Sequence, residues 1–210
     1  MSNETHKKPN RNSWICESER TILDSPFMHF VERHCRSSES DLRHKFYLFK
    51  SKDWCNIIPV TEDGKVVFVR QYRIGISEHT LEIPGGVMDP TDQDPQAAAI
   101  REMTEETGYV PTENFRCISL GWTFPNPAIQ DNRCHSFIVG PVKKVSQQKL
   151  DAAEMIDIIE VPIEEIPERI LKGEITHALM LNTFFFATLR GHGSGETLAD
   201  QLRSFTAKAD

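Results

Sequence analysis

Apolar and polar positions along this chain fall into runs whose period changes from region to region. Between residues 14 and 49 the apolar residues come in short groups: Trp14-Ile15, Phe27-Met28, Phe30-Val31 and Phe46-Tyr47-Leu48-Phe49. Pro26 and the polar segment 37–41 separate them, which predicts a few short strands forming a small N-terminal sheet. Two β-rich runs follow, Asn56-Ile57-Ile58-Pro59-Val60 and Lys65-Val66-Val67-Phe68-Val69-Arg70. They flank Thr61-Glu62-Asp63-Gly64, and Asp-Gly in that setting predicts a hairpin. Leu81-Glu82-Ile83 is a further strand, ended by Pro84-Gly85-Gly86. The pattern then turns helical. Asp94 is a good N-cap, Pro95 suits the first helical position, residues 97–107 are strong helix formers and Gly108 suits a left-handed cap. Residues 118–122, 136–139 and 155–161 predict strands. Residues 163–172 predict a short helix with Pro167 in it. Residues 176–190 predict a longer, mostly buried helix whose Phe184-Phe185-Phe186 reads as core packing. The tail after Gly191 is weakly patterned. Strands, helix, strands and helices in that order predict a mixed α/β sandwich.

Composition narrows the function. Of 210 residues, 39% are hydrophobic and 26% charged, enough for a packed core. The net charge of −7 disfavours a nucleic-acid partner. It leaves room for an anionic small substrate, because a bound metal reverses the local field. The longest apolar stretch, 178–189, is broken by Asn182 and too short to span a bilayer, so no membrane partner is expected. Residues 1–11 lack the apolar core of a secretory signal. The five cysteines are scattered without a C-x-x-C, which suits reduced thiols in the cytoplasm. The histidines lack zinc-ligand spacing.

The sharpest chemistry lies in Arg101-Glu102-Met103-Thr104-Glu105-Glu106-Thr107-Gly108. Residues three and four apart on a helix are neighbours, so Glu105 and Glu106 fall one turn beyond Glu102 and all three reach one patch. Such a cluster reads either as a solvated acidic face or as a cation site. The lack of lysines four residues on, and the glycine-rich turn upstream, favour the cation. Clustered carboxylates suit Mg²⁺, with Mn²⁺ possible.

This segment resembles the Nudix box, G-x5-E-x7-R-E-U-x-E-E-x-G-U, with U a bulky apolar residue. Its second half matches from Arg101 to Tyr109. Its first half departs: the spacing from Gly86 is one residue too long, and Gln93 stands where the family has Glu. Asp92 or Asp94 is the substitute carboxylate. Val69-Arg70-Gln71-Tyr72-Arg73 and Leu81-Glu82-Ile83-Pro84-Gly85-Gly86 are similar to the ADP-ribose pyrophosphatase branch of that family. The resemblance implies a Nudix-type α/β/α sandwich with a mixed sheet, plus a small N-terminal β-strand region. It implies a flexible start over residues 1–12, a β region over 13–52 suited to homodimerisation, a Nudix domain over 53–190 and a tail over 191–210.

The same resemblance implies Mg²⁺-dependent hydrolysis of ADP-ribose or a related nucleoside diphosphate sugar. Glu102, Glu105, Glu106 and the Gly85 carbonyl are the implied metal ligands, Glu105 and Glu106 also counting as catalytic, and Arg101 orients a glutamate. Glu154 is the implied general base, with Asp151 in reserve. Arg73 reads as a phosphate contact or as an ordinary strand arginine. Glu82 reads as an exposed strand residue or as a group binding a metal-bound water or the terminal ribose. Trp14 reads as a core residue or as a platform for the base, and Phe124 as a contact for the leaving sugar. Two alternatives remain at this stage: another nucleoside diphosphate derivative, such as a dinucleotide or a triphosphate, or a regulatory domain that binds a nucleotide sugar without cleaving it.

Overall fold

A computed structural model describes residues 12–206 except Ala153 and His192. The flexible start expected over residues 1–12 therefore lies, apart from Asn12, outside the described residues. Contacts divide the chain into two units. The first holds residues 12–52 together with Phe124–Asn132, and the second holds Asp53–Thr123 and the described part of Arg133–Asp210.

In the first unit three antiparallel strands form a sheet in the order β1-β2-β3: β1 Trp14–Asp24, β2 Met28–Ser37 and β3 Arg43–Ser51. They are longer than the short groups predict, because polar residues alternate with the apolar ones and stay in the ladder. Ser25 and Pro26 form the first turn, where the Ser25 hydroxyl accepts from Met28 N at 3.1 Å. Glu32 is buried on this sheet and accepts from Tyr47 at 2.9 Å and Arg20 at 3.2 Å, with His34 Nε2 at 2.7 Å. That set of partners, His34 and Tyr47 foremost, holds its carboxyl down at about 2. Segment Phe124–Asn132 adds to β3 through Phe49 N donating to Ile129 O at 2.7 Å.

The second unit is built on a seven-stranded mixed sheet. Its strands are β4 Trp54–Thr61, β5 Lys65–Arg73, β6 Glu78–Glu82, β7 Gly85–Val87, β8 Tyr109–Thr123, β9 Cys134–Lys144 and β10 Ile156–Pro162. The central order is β10-β5-β4-β9-β8, with β6 beside β5 and β7 beside β4. Only β4 and β9 run parallel. The predicted hairpin joins β4 to β5, with Gly64 at φ 79°. The described residues of this unit also form four α-helices, in chain order α1 Pro95–Thr107, α2 Ile166–Leu171, α3 Ala178–Arg190 and α4 Leu198–Arg203.

Strand alternation makes two cores from one sheet. Ile57, Val67, Phe137 and Val139 pack with Ala98, Ala99 and Met103 of α1. Their neighbours Ile58, Val66, Phe68 and Ile138 pack with Met180, Phe184 and Ala187 of α3. This is the α/β/α sandwich that the resemblance implies. One expectation needs correction. Phe184 is buried and stacks on Phe68, with centroids 5.9 Å apart, but Phe185 is 60% exposed. Successive helical residues point about 100° apart, so three in a row cannot all face one sheet. The weakly patterned tail also differs from its reading. It carries α4, opened by a capping box between Thr197 and Asp200, and it places Leu202 and Phe205 in the α3-side core.

Candidate active site

The local sequence fixes α1 at both ends. Asp94 is extended and accepts from Ala97 N at 2.8 Å, Pro95 begins the helix, and Gly108 closes it at φ 71°. Glu102 and Glu106, four residues apart, share the face of α1 turned toward β7. The Glu106 carboxylate accepts from Gly85 N at 3.0 Å. A Cβ on Gly86 would stand 2.7 Å from the Glu102 carboxyl carbon, so a side chain there would push the Glu102 carboxylate aside. Gly85 is tighter still: a Cβ there would lie 2.3 Å from Cys55 O and 2.8 Å from Asn56 Cα, both backbone atoms. Gly85→Ala is expected to cost about 1–3 kcal/mol of stability, as overpacking against rigid neighbours does. An unchanged thermal midpoint for that variant would contradict the packing described.

Glu105 meets Glu102 at Arg101 but is turned away from Glu106. It lies about 100° round the helix from Glu106, and its carboxylate turns outward to Arg101 Nη1 at 2.9 Å. Arg101 is the hub of the loop. It also reaches Glu102 at 3.0 Å and Asp92 at 2.9 and 3.0 Å through two nitrogens. The two candidates for the missing carboxylate therefore divide the work. Asp92 pairs with Arg101, which holds its carboxyl below the usual range, and Asp94 caps the helix.

Burial dominates the electrostatics. Glu106 is 5% exposed, and desolvation raises its carboxyl to about 8. The Gly85 N–H and the charge of Arg73 offset this only in part, while Glu102 and Glu154 add to it. Burial raises the Glu102 carboxyl as well, against the pull of Arg101. Glu154 is exposed, on the loop before β10, where it accepts from Asp151 N at 2.9 Å. It is near enough for its charge to act on Glu102, Glu106 and Arg73.

Glu82 is not the exposed strand residue that one reading gave. It is fully buried and accepts from Arg73 Nε at 2.7 Å and Nη2 at 2.6 Å, and from Thr80 Oγ1 at 2.5 Å. Burial would raise its carboxyl, but the two-pronged pairing with Arg73 brings it below the usual range. Arg73 is thus engaged on Glu82, with its side chain still 41% exposed. Trp14 and Phe124 belong to the first unit. Trp14 is 44% exposed, which excludes the core reading, and packs edge-on to Phe46 at 5.0 Å.

Sequence reasoning passed over the support behind Gly85. Asn56, directly opposite Gly85 across β4–β7, is buried and lies 2.8 Å from Thr183 Oγ1, which in turn lies 2.8 Å from Ser136 Oγ. A lone asparagine opening an apolar strand was the available signal, since a buried amide needs partners.

Among the described residues no three His, Cys, Asp or Glu side chains already converge as a cation cage. Glu102 and Glu105 are turned to Arg101. The donors at the β7–α1 junction are nonetheless all oxygen, and a buried carboxylate with little compensating charge is what a hard divalent cation would neutralise.

The NUDIX domain family matches residues 54–184. A methanol dehydrogenase activator from Bacillus methanolicus is 32% identical over 123 residues, 57% of this chain and 63% of that protein. An ADP-ribose pyrophosphatase from Bacillus subtilis (strain 168) is 26% identical over 123 residues, 58% of this chain and 64% of that protein. The matches thus span just under two thirds of these curated relatives. A crystal structure described as an ADP compounds hydrolase superposes with a TM-score of 0.76 at 16% identity, over 89% of this chain and 98% of that one, and so shares the fold. No helix among the described residues is long and apolar enough to cross a membrane. With more than half its length matched, and the box residues gathered at one helix and one glycine turn, the chain belongs to the Nudix family.

Proposed function

We propose that this chain hydrolyses the pyrophosphate bond of ADP-ribose or a related nucleoside diphosphate sugar, releasing a nucleoside monophosphate and a sugar phosphate. The observation that carries the reading is the pair Glu102 and Glu106, one turn apart and held against Gly85-Gly86, with Glu106 buried. The name of the Bacillus subtilis relative supports the substrate class.

Glu102, Glu106 and the Gly85 carbonyl, with Glu105 at the rim, would hold Mg²⁺ or Mn²⁺. When bound, the cation supplies neutralisation of the diphosphate and acidification of water. The remaining work falls to the chain. Arg101 fixes the direction of Glu102 and Glu105 by charge-assisted hydrogen bonds, and Asp92 braces Arg101. Glu154 accepts the proton of the attacking water. Its exposure suits that role, because the proton it takes can be handed on to solvent. Arg73, oriented by Glu82, presents positive charge toward the phosphates.

The name of the Bacillus methanolicus relative supports a second reading, in which the chain acts on a dehydrogenase. The retained carboxylates favour hydrolysis as the chemistry in either case.

A panel of ADP-ribose, ADP-glucose, an adenine dinucleotide and ATP, incubated with the full chain and Mg²⁺, tests the proposal. Release of AMP and ribose 5-phosphate, fastest from ADP-ribose or ADP-glucose and abolished by a chelator, is expected. A preference for ATP, or no turnover of any nucleoside diphosphate sugar, would overturn it.

A further inference from the structure

The first unit carries two cysteines whose placement has nothing to do with the carboxylate site. Cys16 on β1 and Cys35 on β2 are directly opposed in the antiparallel ladder. Directly opposed residues have Cα atoms about 4.5–5.5 Å apart and side chains on the same face. That spacing lies inside the window of about 4.4–6.8 Å that a disulfide requires. Both are free thiols in this structure, Cys16 exposed and Cys35 buried. Burial, with the Cys16 thiol alongside, raises the Cys35 thiol above its ordinary range.

The surroundings make the pair asymmetric. β1 is the outer strand of its sheet, with β2 on one side only. The register slips between Cys16 and Ser18, and the Cys16 thiol donates to Ser18 O at 3.5 Å. A bulge beside a pair gives the strand the local freedom to close the small gap between Cβ atoms. The Arg33 guanidinium is close enough for Cys16 to act on its charge, while Arg33 is itself paired with Glu19 at 2.6 Å.

The other three thiols lack these features. Burial pushes the thiols of Cys55, Cys117 and Cys134 each up to about 12. The registers oppose Cys55 to His135 and Gly86, Cys117 to Val139, and Cys134 to Trp54 and Thr123, never to another cysteine.

We propose that Cys16 and Cys35 form a redox-active pair that closes to a cross-strand disulfide on exposure to hydrogen peroxide. The Cys16 thiolate attacks one peroxide oxygen and breaks the O–O bond, giving a sulfenic acid and one water after proton uptake. The Cys35 sulfur then attacks the Cys16 sulfur. The S–S bond forms, the S–O bond breaks, and the hydroxyl leaves with the Cys35 proton as a second water. Two thiols are oxidised by two electrons, and one peroxide is reduced to two waters.

The test uses the full reduced chain, treated with hydrogen peroxide and read by intact mass and by non-reducing peptide mapping. The expected result is a loss of about 2 Da, the two thiol hydrogens, with one cross-linked peptide joining Cys16 to Cys35, reversed by dithiothreitol. Cys35→Ser should leave a sulfenic acid at Cys16 that dimedone traps, and Cys16→Ser should abolish the cross-link. A Cys16–Cys16 link between two chains would overturn the proposal. So would oxidation of Cys16 to sulfinic acid without a cross-link, or preferential oxidation of Cys55, Cys117 or Cys134.

Discussion

Glu106→Gln is expected to lower the rate of pyrophosphate hydrolysis by roughly two to four orders of magnitude, about 3–5 kcal/mol of transition-state stabilisation. The substitution keeps the shape and an amide oxygen able to accept from Gly85 N, so the β7–α1 contact survives. It removes the negative charge that would hold a cation. The variant should also need more Mg²⁺ for half-maximal rate, because one of its principal donors becomes neutral. Glu105→Gln makes the informative comparison. Glu105 is turned outward to Arg101, so its loss should cost much less than that of Glu106. Steady-state rates across a Mg²⁺ series measure both, and equal turnover by wild type and Glu106→Gln would remove the assignment.

The same carboxyl sets a second large effect, on stability. Glu106 titrates near 8 in the folded chain against an ordinary value of 4.5. The folded state therefore holds a proton that the unfolded state has released, and stability falls as pH rises between those values. A span of about 3.5 pH units at about 1.4 kcal/mol each gives about 5 kcal/mol as an upper bound for metal-free protein. Glu82, Asp92 and Glu32 act in the opposite direction and in a different window. Their carboxyls are held low, so the stability they give is present above their ordinary range and is lost on acidification. The expected observation is a thermal midpoint of metal-free wild type that drops from pH 5 to pH 8 relative to Glu106→Gln, with Mg²⁺ closing the gap. Parallel profiles for the two proteins would show that Glu106 is ionised throughout and that its burial has no energetic cost.

Features encoded by neighbouring residues were legible. Asp94-Pro95 and Gly108 bound α1 from local capping chemistry, and Asp63-Gly64 marks the β4–β5 hairpin. The spacing put Glu102, Glu105 and Glu106 on one patch; Glu102 and Glu106 share the face toward Gly85-Gly86, and Glu105 is turned to Arg101. Features that depend on register were not legible. Whether Asp92 or Asp94 meets Arg101 is decided by the path of a loop whose length departs from the family pattern. The pairing of Arg73 with Glu82 needs β6 to lie beside β5 with Val69 opposite Glu82. Helix α4 escaped notice because six residues with a single deeply buried leucine leave almost no periodic signal. Phe185 misled because residue type was read without its position round the helix.

The central claim is that acidic side chains of α1 and the turn at Gly85 gather a divalent cation. Anomalous scattering from crystals grown with Mn²⁺ and a non-hydrolysable ADP-ribose analogue tests it most directly. A Mn²⁺ peak within bonding distance of the Glu102 and Glu106 carboxylates, beside the Gly85 carbonyl, is expected. A Mn²⁺ peak elsewhere on the chain, or none there at saturating Mn²⁺, would contradict it.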